Sequence, residues 1–294
     1  MKNYLFITSE LTRGIIALAT TMSKNDTTVT IVSPAEATES SRLRIPHIQI
    51  KKSKFLGKIK LSGGADLKNF QDMDNLSVYV LDLPSLSLAT KYKLNVTGHV
   101  SEFGIDLSIF NPGAVAPLLQ NRVLDELNIA PHQKLITVIS PVGFNIDVLI
   151  EALNLLRNDD IAIALYGNVG NVGNVSVNKL VRVIEKSGHH ITYIGGDQDI
   201  VSTLRSSYAV LSLGKADPVL LMAACAMGRP TVWGTNDYAI DSNIHVASPL
   251  RADALAAALD NVLNLSPSAR AKIEKENILY AKKFDIHNVI KKLK

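Results

Sequence analysis

The chain has 294 residues, 47% of them hydrophobic and 20% charged, with a formal net charge of +4 at neutral pH. This composition fits a globular protein with room for two domains of roughly 100 to 200 residues, and it excludes disordered, collagenous and disulfide-rich classes. The lone cysteine, Cys225, has no partner for an internal disulfide, and no apolar run approaches the roughly 18 to 20 residues of a membrane span. The first strand, YLFIT, is too short for a secretion signal, so a cytoplasmic location is expected.

Along the chain, YLFITS reads as a strand, residues 10–14 as a polar turn, IIALATTMSK as a helix and TTVTIVSP as a second strand. Strands alternating with helical patterns predict a parallel sheet covered on both faces. HIQI supplies a further strand, after which Lys51, Lys52, Lys54, Lys58 and Lys60 crowd around Phe55 and Leu56. A solvated lysine-rich loop accounts for that run. A surface for anionic lipid or for nucleic-acid phosphates is the alternative, and charge alone does not separate the two. LSVYVLDLP and NVTGHVSEF complete the strands of a small Rossmann-like domain. The segment DLSIFNPGAVAP, 106–117, centres on Asn-Pro-Gly and reads as the crossing between domains, which places the boundaries at 1–112 and 113–294.

A second alternating set follows. LITVIS, IAIALYG, ITYIGG, YAVLSL, TVWG and IHVAS predict strands, and IDVLIEALNLLRN, VNKLVRVIEKSG, DIVSTLRSS, PVLLMAACAM and ADALAAALDNVLNL predict helices. Two such sets in succession predict an α/β protein of two Rossmann-like domains facing each other across a cleft. The last stretch, 267–294, reads as a charged outer helix that packs over the domains and crosses back to the first, with lysines on its solvated face. GNVGNVGNV, 167–175, follows a strand but lacks the P-loop Lys-Ser/Thr and the GxGxxG spacing, so a flexible surface loop is the plainer reading beside a phosphate-cradling one. His189 and His190 have no evident co-ligands and no Asp-x-Asp occurs, so no metal is expected. Cys225 lies in an apolar helical run and reads as a small buried hydrophobe.

The stretch SLGKADPVLLMAACAMGRPTVWG, 212–234, carries the functional signal. Asp217 suits a helix N-cap, Pro218 the first helical position, and Gly228 follows the last turn. Free N–H groups and the positive dipole end at such a helix start attract phosphate, and Lys215 adds a point charge beside them. An ordinary strand-to-helix turn is the alternative.

The stretch resembles the donor motif of the large retaining family of GT-B glycosyltransferases, written roughly PS-x-x-E-G-F-G-L-x-x-L-E-A-M-A-x-G-x-P-V-V. Without gaps, Ala224, Ala226, Gly228 and Pro230 fall on matching positions. TSE after the first strand, LDELNIAPHQKLITVIS, ITYIGG before DIVSTLRSS, and SPLRADALAAALDNVL resemble the family's layout in order over most of the chain. The same count places Lys215 and Ala223 where the family has two glutamates that contact the donor, and the turn SPVGFN lacks the family's diphosphate-clamping Arg and Lys.

The resemblance implies transfer of a sugar from a nucleotide-sugar donor to an acceptor hydroxyl. Backbone groups near Gly143, Gly167 and Gly214, with Lys215, Ala216, Asp217 and Pro218, would hold the donor, and Lys215 would replace the missing cations. His99, at the end of NVTGH, would orient the acceptor or take its proton, with Glu10 and Glu102 as alternative carboxylates. No cofactor is expected beyond the nucleotide sugar as co-substrate. The acceptor is left unidentified: a lipid-linked molecule at a membrane surface, with peripheral attachment there, a protein and a nucleic acid are the candidates. Loss of the two acids and two cations leaves a second expectation: a catalytically inactive GT-B module that binds a partner protein. A nucleotide-sugar epimerase with two Rossmann-like domains is a third.

Overall fold

A computed structural model describes residues 2–8, 13–23, 27–33, 45–52, 59–61, 67–71, 73–80, 88–99, 104–139, 146–157, 160–166, 177–195, 199–213, 218–234, 245–247 and 250–293. The chain divides into two compact units, Met1–Asp106 with Phe284–Lys294, and Leu107–Lys283.

In the first unit, β1 (Lys2–Ile7), β2 (Thr27–Ser33), β3 (His47–Lys52), β4 (Ile59–Leu61), β5 (Leu76–Val80) and β6 (Val96–His99) form one sheet in the order β4-β3-β2-β1-β5-β6. All neighbouring pairs are parallel except β3 with β4. Alternation along β1 sends Tyr4 and Phe6 to one apolar cluster and Leu5 and Ile7 to another, so the central strand is buried on both faces. Helix α1 (Arg13–Ser23) covers the Tyr4–Phe6 face with Ile15, Leu18, Ala19 and Met22, which recur at the helical period. The lysine run is partly strand: Lys51 of β3 stands opposite Lys60 of β4, while residues 53–58, including Lys54 and Lys58, lie outside the described residues.

In the second unit, β7 (Lys134–Ile139), β8 (Ile161–Tyr166), β9 (Ile191–Gly195), β10 (Ala209–Leu213), β11 (Thr231–Gly234) and β12 (His245–Ala247) form an all-parallel sheet in the order β12-β11-β10-β7-β8-β9. The helices of this unit are α2 (Pro117–Glu126), α3 (Ile146–Leu155), α4 (Val177–Ser187), α5 (Ile200–Ser206), α6 (Pro218–Ala226), α7 (Ala252–Leu263) and α8 (Pro267–Ala281). One face of the sheet buries Ile136, Val138, Ile163, Leu165, Leu211 and Leu213 against Leu149 of α3 and Leu259 of α7. The other face packs Ile139, Tyr166 and Val210 against Leu204 of α5 and Leu220 and Ala223 of α6. Val219 to Ala226 are all buried, so α6 is apolar all round, as an internal helix must be. It stops at Gly228, whose φ of +74° suits glycine at the C-terminal cap.

The stretch 267–294 is not one outer helix. After α8 comes a 3-10 turn, Lys282–Phe284, and then α9 (Ile286–Leu293), whose Ile286, Val289 and Ile290 join the core of the first unit. The break has a tertiary cause: Ile105 N–H donates to the Phe284 carbonyl at 2.8 Å, and Ile286 N–H donates to the Ile105 carbonyl at 2.9 Å. This bridge takes backbone groups that a continuous helix would have used. A Cβ on Gly104 would lie 2.8 Å from the Ile286 Cα, so the close approach needs glycine there. No helix among the described residues is long and apolar enough to cross a membrane.

Candidate functional site

In the second sheet the chain runs outward from β7 through β8 to β9, then returns to the other flank of β7 at β10 and continues to β11 and β12. The strand order therefore reverses between β7 and β10. In an open parallel sheet such a reversal leaves a crevice beyond the carboxyl ends of the strands, where successive loops turn away from each other. Register fixes the level of that edge. Ile139 pairs with Tyr166 on one side and with Ser212 on the other, and Ser212 pairs with Trp233. The segments that follow Ile139, Tyr166 and Ser212 carry Gly143, Gly167 and Gly214 to Asp217, so one row of the sheet launches all three.

Gly143, Gly167, Gly214, Lys215, Ala216 and Asp217 themselves lie outside the described residues, as do Glu10 and Glu102. Pro218 opens α6, so the sharp helix start expected from the Asp-Pro pair begins four residues after Gly214. His99 closes β6, and its backbone stands level with Val80, which in turn is level with Ile7 at the end of β1. At the usual spacing of about 4.8 Å between strands, that is roughly 10 Å from the first sheet's own reversal point beside β1. The His99 side chain lies outside the described residues. Thr8, next along from Ile7, is buried and donates its N–H to the Val32 carbonyl at 3.0 Å.

Ser212 is the residue that sequence reasoning used only as the origin of a count. It is fully buried, and its Oγ has no hydrogen-bond partner among the described residues. Alternation puts it on the same face as Val210, which packs beside α6. A buried hydroxyl without a partner is uncommon in a folded protein and calls for a physical reason. The only signal in the sequence was one polar residue near the end of the otherwise apolar run AVLSL.

Ala223 has no exposed surface and packs among Ile139, Tyr166, Leu204 and Val210. A carboxylate at this position would have to be stripped of water inside an apolar cluster, a costly arrangement without a buried counter-charge. Cys225 is also sealed in α6; burial pushes its thiol up to about 11, which keeps it from being a nucleophile near neutral pH. His189 is occupied locally, its Nε2 lying 2.8 Å from the Asn154 side-chain oxygen.

No family model and no curated protein matches the chain. Solved structures do. A glycosyltransferase from Rickettsia africae superposes with a TM-score of 0.70 at 16% identity, over 99% of this chain and 96% of that one. Anabaena HepE, solved in complex with UDP-glucose, gives 0.70 at 12% identity over 100% and 98% of the two chains. The fold is GT-B. MurG from Acinetobacter baumannii has the same architecture more distantly, with a TM-score of 0.56 at 12% identity over 100% of this chain and 99% of that one. In this GT-B chain the second sheet's reversal point thus lies between β7 and β10, and Ser212 belongs to the register row at its carboxyl edge.

Proposed function

We propose that the protein is a glycosyltransferase that moves a sugar from a nucleotide-sugar donor to an acceptor hydroxyl, with the nucleotide held by the second unit. One observation carries this reading. The shared row Tyr166–Ile139–Ser212 brings three parallel strands level at the carboxyl edge of the sheet, at its reversal point, and Gly143, Gly167 and Gly214 follow those strands closely in sequence. Glycines there let backbone N–H groups approach phosphate oxygens closely, and the start of α6 adds its dipole. HepE, which has the same fold, is solved with UDP-glucose, and this supports a uridine diphosphate sugar as the first donor to try.

Chemistry in such a site comes chiefly from stabilising charge on the departing diphosphate as the bond to the sugar breaks. Lys215, beside the helix start, is the residue assigned to that charge, together with the backbone of Ala216, Asp217 and Pro218. His99 is assigned to the acceptor: a neutral imidazole accepts the hydroxyl proton as the new glycosidic bond forms. No metal or organic cofactor is required. The acceptor is proposed to be lipid-linked, because Lys51 and Lys60 stand opposite each other on the edge pair of the first sheet, where ammonium groups favour an anionic surface; a nucleic-acid acceptor would use the same charges.

Titration calorimetry of the intact chain with UDP and UDP-glucose tests the reading. Binding of both is expected, weakened at least several-fold in Lys215→Ala. Unchanged affinity in that variant removes Lys215 from the site, and a panel of nucleoside diphosphates and their sugars that all fail to bind removes the proposal. A second reading, an inactive GT-B module acting with a partner protein, is favoured by one observation, the apolar burial of Ala223 where the resemblance expects a donor-contacting acid. Nucleotide binding with neither hydrolysis nor transfer would select it.

A further inference from the structure

Three arginines from separate segments meet at the amino ends of β10 and β11, the opposite end of the sheet from the glycine-bearing segments. Arg205 lies in the last turn of α5, Arg229 directly follows Gly228, and Arg270 stands near the start of α8. Arg229 Nη1 donates to the Ser207 carbonyl at 3.0 Å, and Arg270 Nη2 donates to the Tyr208 carbonyl at 2.9 Å. The Arg270 guanidinium also covers the Tyr208 ring, 3.7 Å from its centroid. The carboxylate facing them is Glu274, 3.1 Å from Arg270 Nε. Among the described residues, three guanidinium groups against one carboxylate leave two positive charges over.

The unanswered donors point the same way. Nε of Arg205, Nε of Arg229 and Nη1 of Arg270 are all buried and without a hydrogen-bond partner among the described residues. Charged N–H groups left unpaired in a low-dielectric setting are costly, and mutual repulsion adds to that cost. The strain registers on Arg229: burial, followed by the neighbouring Arg205, lowers its pKa to about 10, with Glu274 opposing and Arg270 adding to the fall. Among the described residues, only Glu274 opposes this cluster.

We propose that Arg205, Arg229 and Arg270 form a second anion site, for a small oxyanion of the phosphate class, with Glu274 holding Arg270 in position. The guanidinium fork matches tetrahedral oxyanions in a bidentate manner, and a hydrogenphosphate dianion neutralises the two surplus charges. The site is distinct from the candidate donor edge. β10 runs five residues from Ala209 to Leu213, so about 16 Å of strand separates the two ends. An ion bound here fastens Ser207 and Tyr208, the residues that lead into β10, and so the strand that ends in Ser212 and Leu213. This inference does not depend on the donor reading.

The test is thermal unfolding of the intact chain in sodium phosphate against sodium chloride at matched ionic strength, for the parent, Arg205→Met and Lys215→Ala. Phosphate at about ten times its dissociation constant is expected to raise the Tm of the parent and of Lys215→Ala by about 2–4 °C over chloride. In Arg205→Met the phosphate shift vanishes. In chloride this variant unfolds at or above the temperature of the parent, because it loses repulsion and an unpaired donor; a merely structural arginine would lower it in both salts. A parent that unfolds at the same temperature in both salts overturns the proposal, as does a phosphate shift that survives Arg205→Met. Should Arg205→Met fail to fold, Arg205→Lys, which keeps the charge and loses the fork, is expected to halve the shift, and an undiminished shift counts against the site.

Discussion

At its carboxyl edge the second sheet brings β7, β8 and β10 level on one register row that includes Ser212, whose hydroxyl has no partner among the described residues, whereas at its amino edge it gathers three guanidinium groups around Ser207 and Tyr208. The first edge is defined by topology: a reversal in strand order makes a crevice. The second edge is defined by side chains that arrive from distant parts of the chain and tie down backbone carbonyls. Helix α6 joins them, beginning beyond the carboxyl end of β10 and ending at Gly228, beside Arg229. The contrast teaches that, among the described residues, the arginine cluster lies away from the place where the motif resemblance directs attention, so the two edges should answer differently to substitution.

The largest effect is expected at the amino edge. Arg270→Ala removes a bond to the Tyr208 carbonyl, an ion pair with Glu274 and a stacked cation over the Tyr208 ring. With Arg270 only 17% exposed, the loss should come to about 2–4 kcal/mol of unfolding free energy, measurable by denaturant titration. Arg205→Met, in the same cluster, is expected to move stability in the opposite direction in chloride. If both variants destabilise alike, the cluster is a structural clamp throughout and the contrast between the edges loses its charge argument.

These differences track what was legible in the sequence. Runs such as YLFI and IAIALY are apolar on both faces, so their strands and the parallel architecture could be read directly. The start of α6 at Pro218 and its stop at Gly228 were legible too, because these signals are local. β4 was not: Ile59 to Leu61 is a three-residue strand inside a lysine run, and only its pairing with β3 makes it one. Nor was the break after α8, which depends on Ile105, far back in the chain. Within the candidate site, the register row is a non-local property of three strands and needed the fold. The arginine cluster was invisible for the same reason, its members being separated by 24 and 41 positions (229 − 205 and 270 − 229).

A middle-sized effect should appear in the helix that joins the edges. Burial raises the Cys225 thiol from 9.0 to about 11, with a weak contact to Thr231 Oγ1 at 3.8 Å opposing. The folded state therefore keeps a proton that the unfolded chain releases between those values, so stability falls as pH rises through that window and is unaffected below it. The parent should lose up to about 2–3 kcal/mol relative to Cys225→Ala between pH 9 and 11. Parallel pH profiles for the two proteins would mean that α6 opens enough to hydrate the thiol, and a loose α6 would no longer couple the edges.

The smallest change in stability is expected at Ser212, where it is also the most informative. The Oγ makes no bond among the described residues, so Ser212→Ala removes a desolvated polar atom and breaks nothing; unfolding should shift by less than about 1 kcal/mol, towards greater stability. A hydroxyl kept buried and unpaired directly beneath the reversal point makes sense if a ligand, or a segment closing over one, supplies its partner. The expectation is thus a split outcome: stability held or raised in the free protein, and affinity for UDP-glucose reduced several-fold. A variant that binds as tightly as the parent would show that the hydroxyl is idle and that the carboxyl edge works through backbone alone. A variant markedly less stable without ligand would mean that Ser212 already has an internal partner, and the orphan hydroxyl would cease to distinguish this edge from the other.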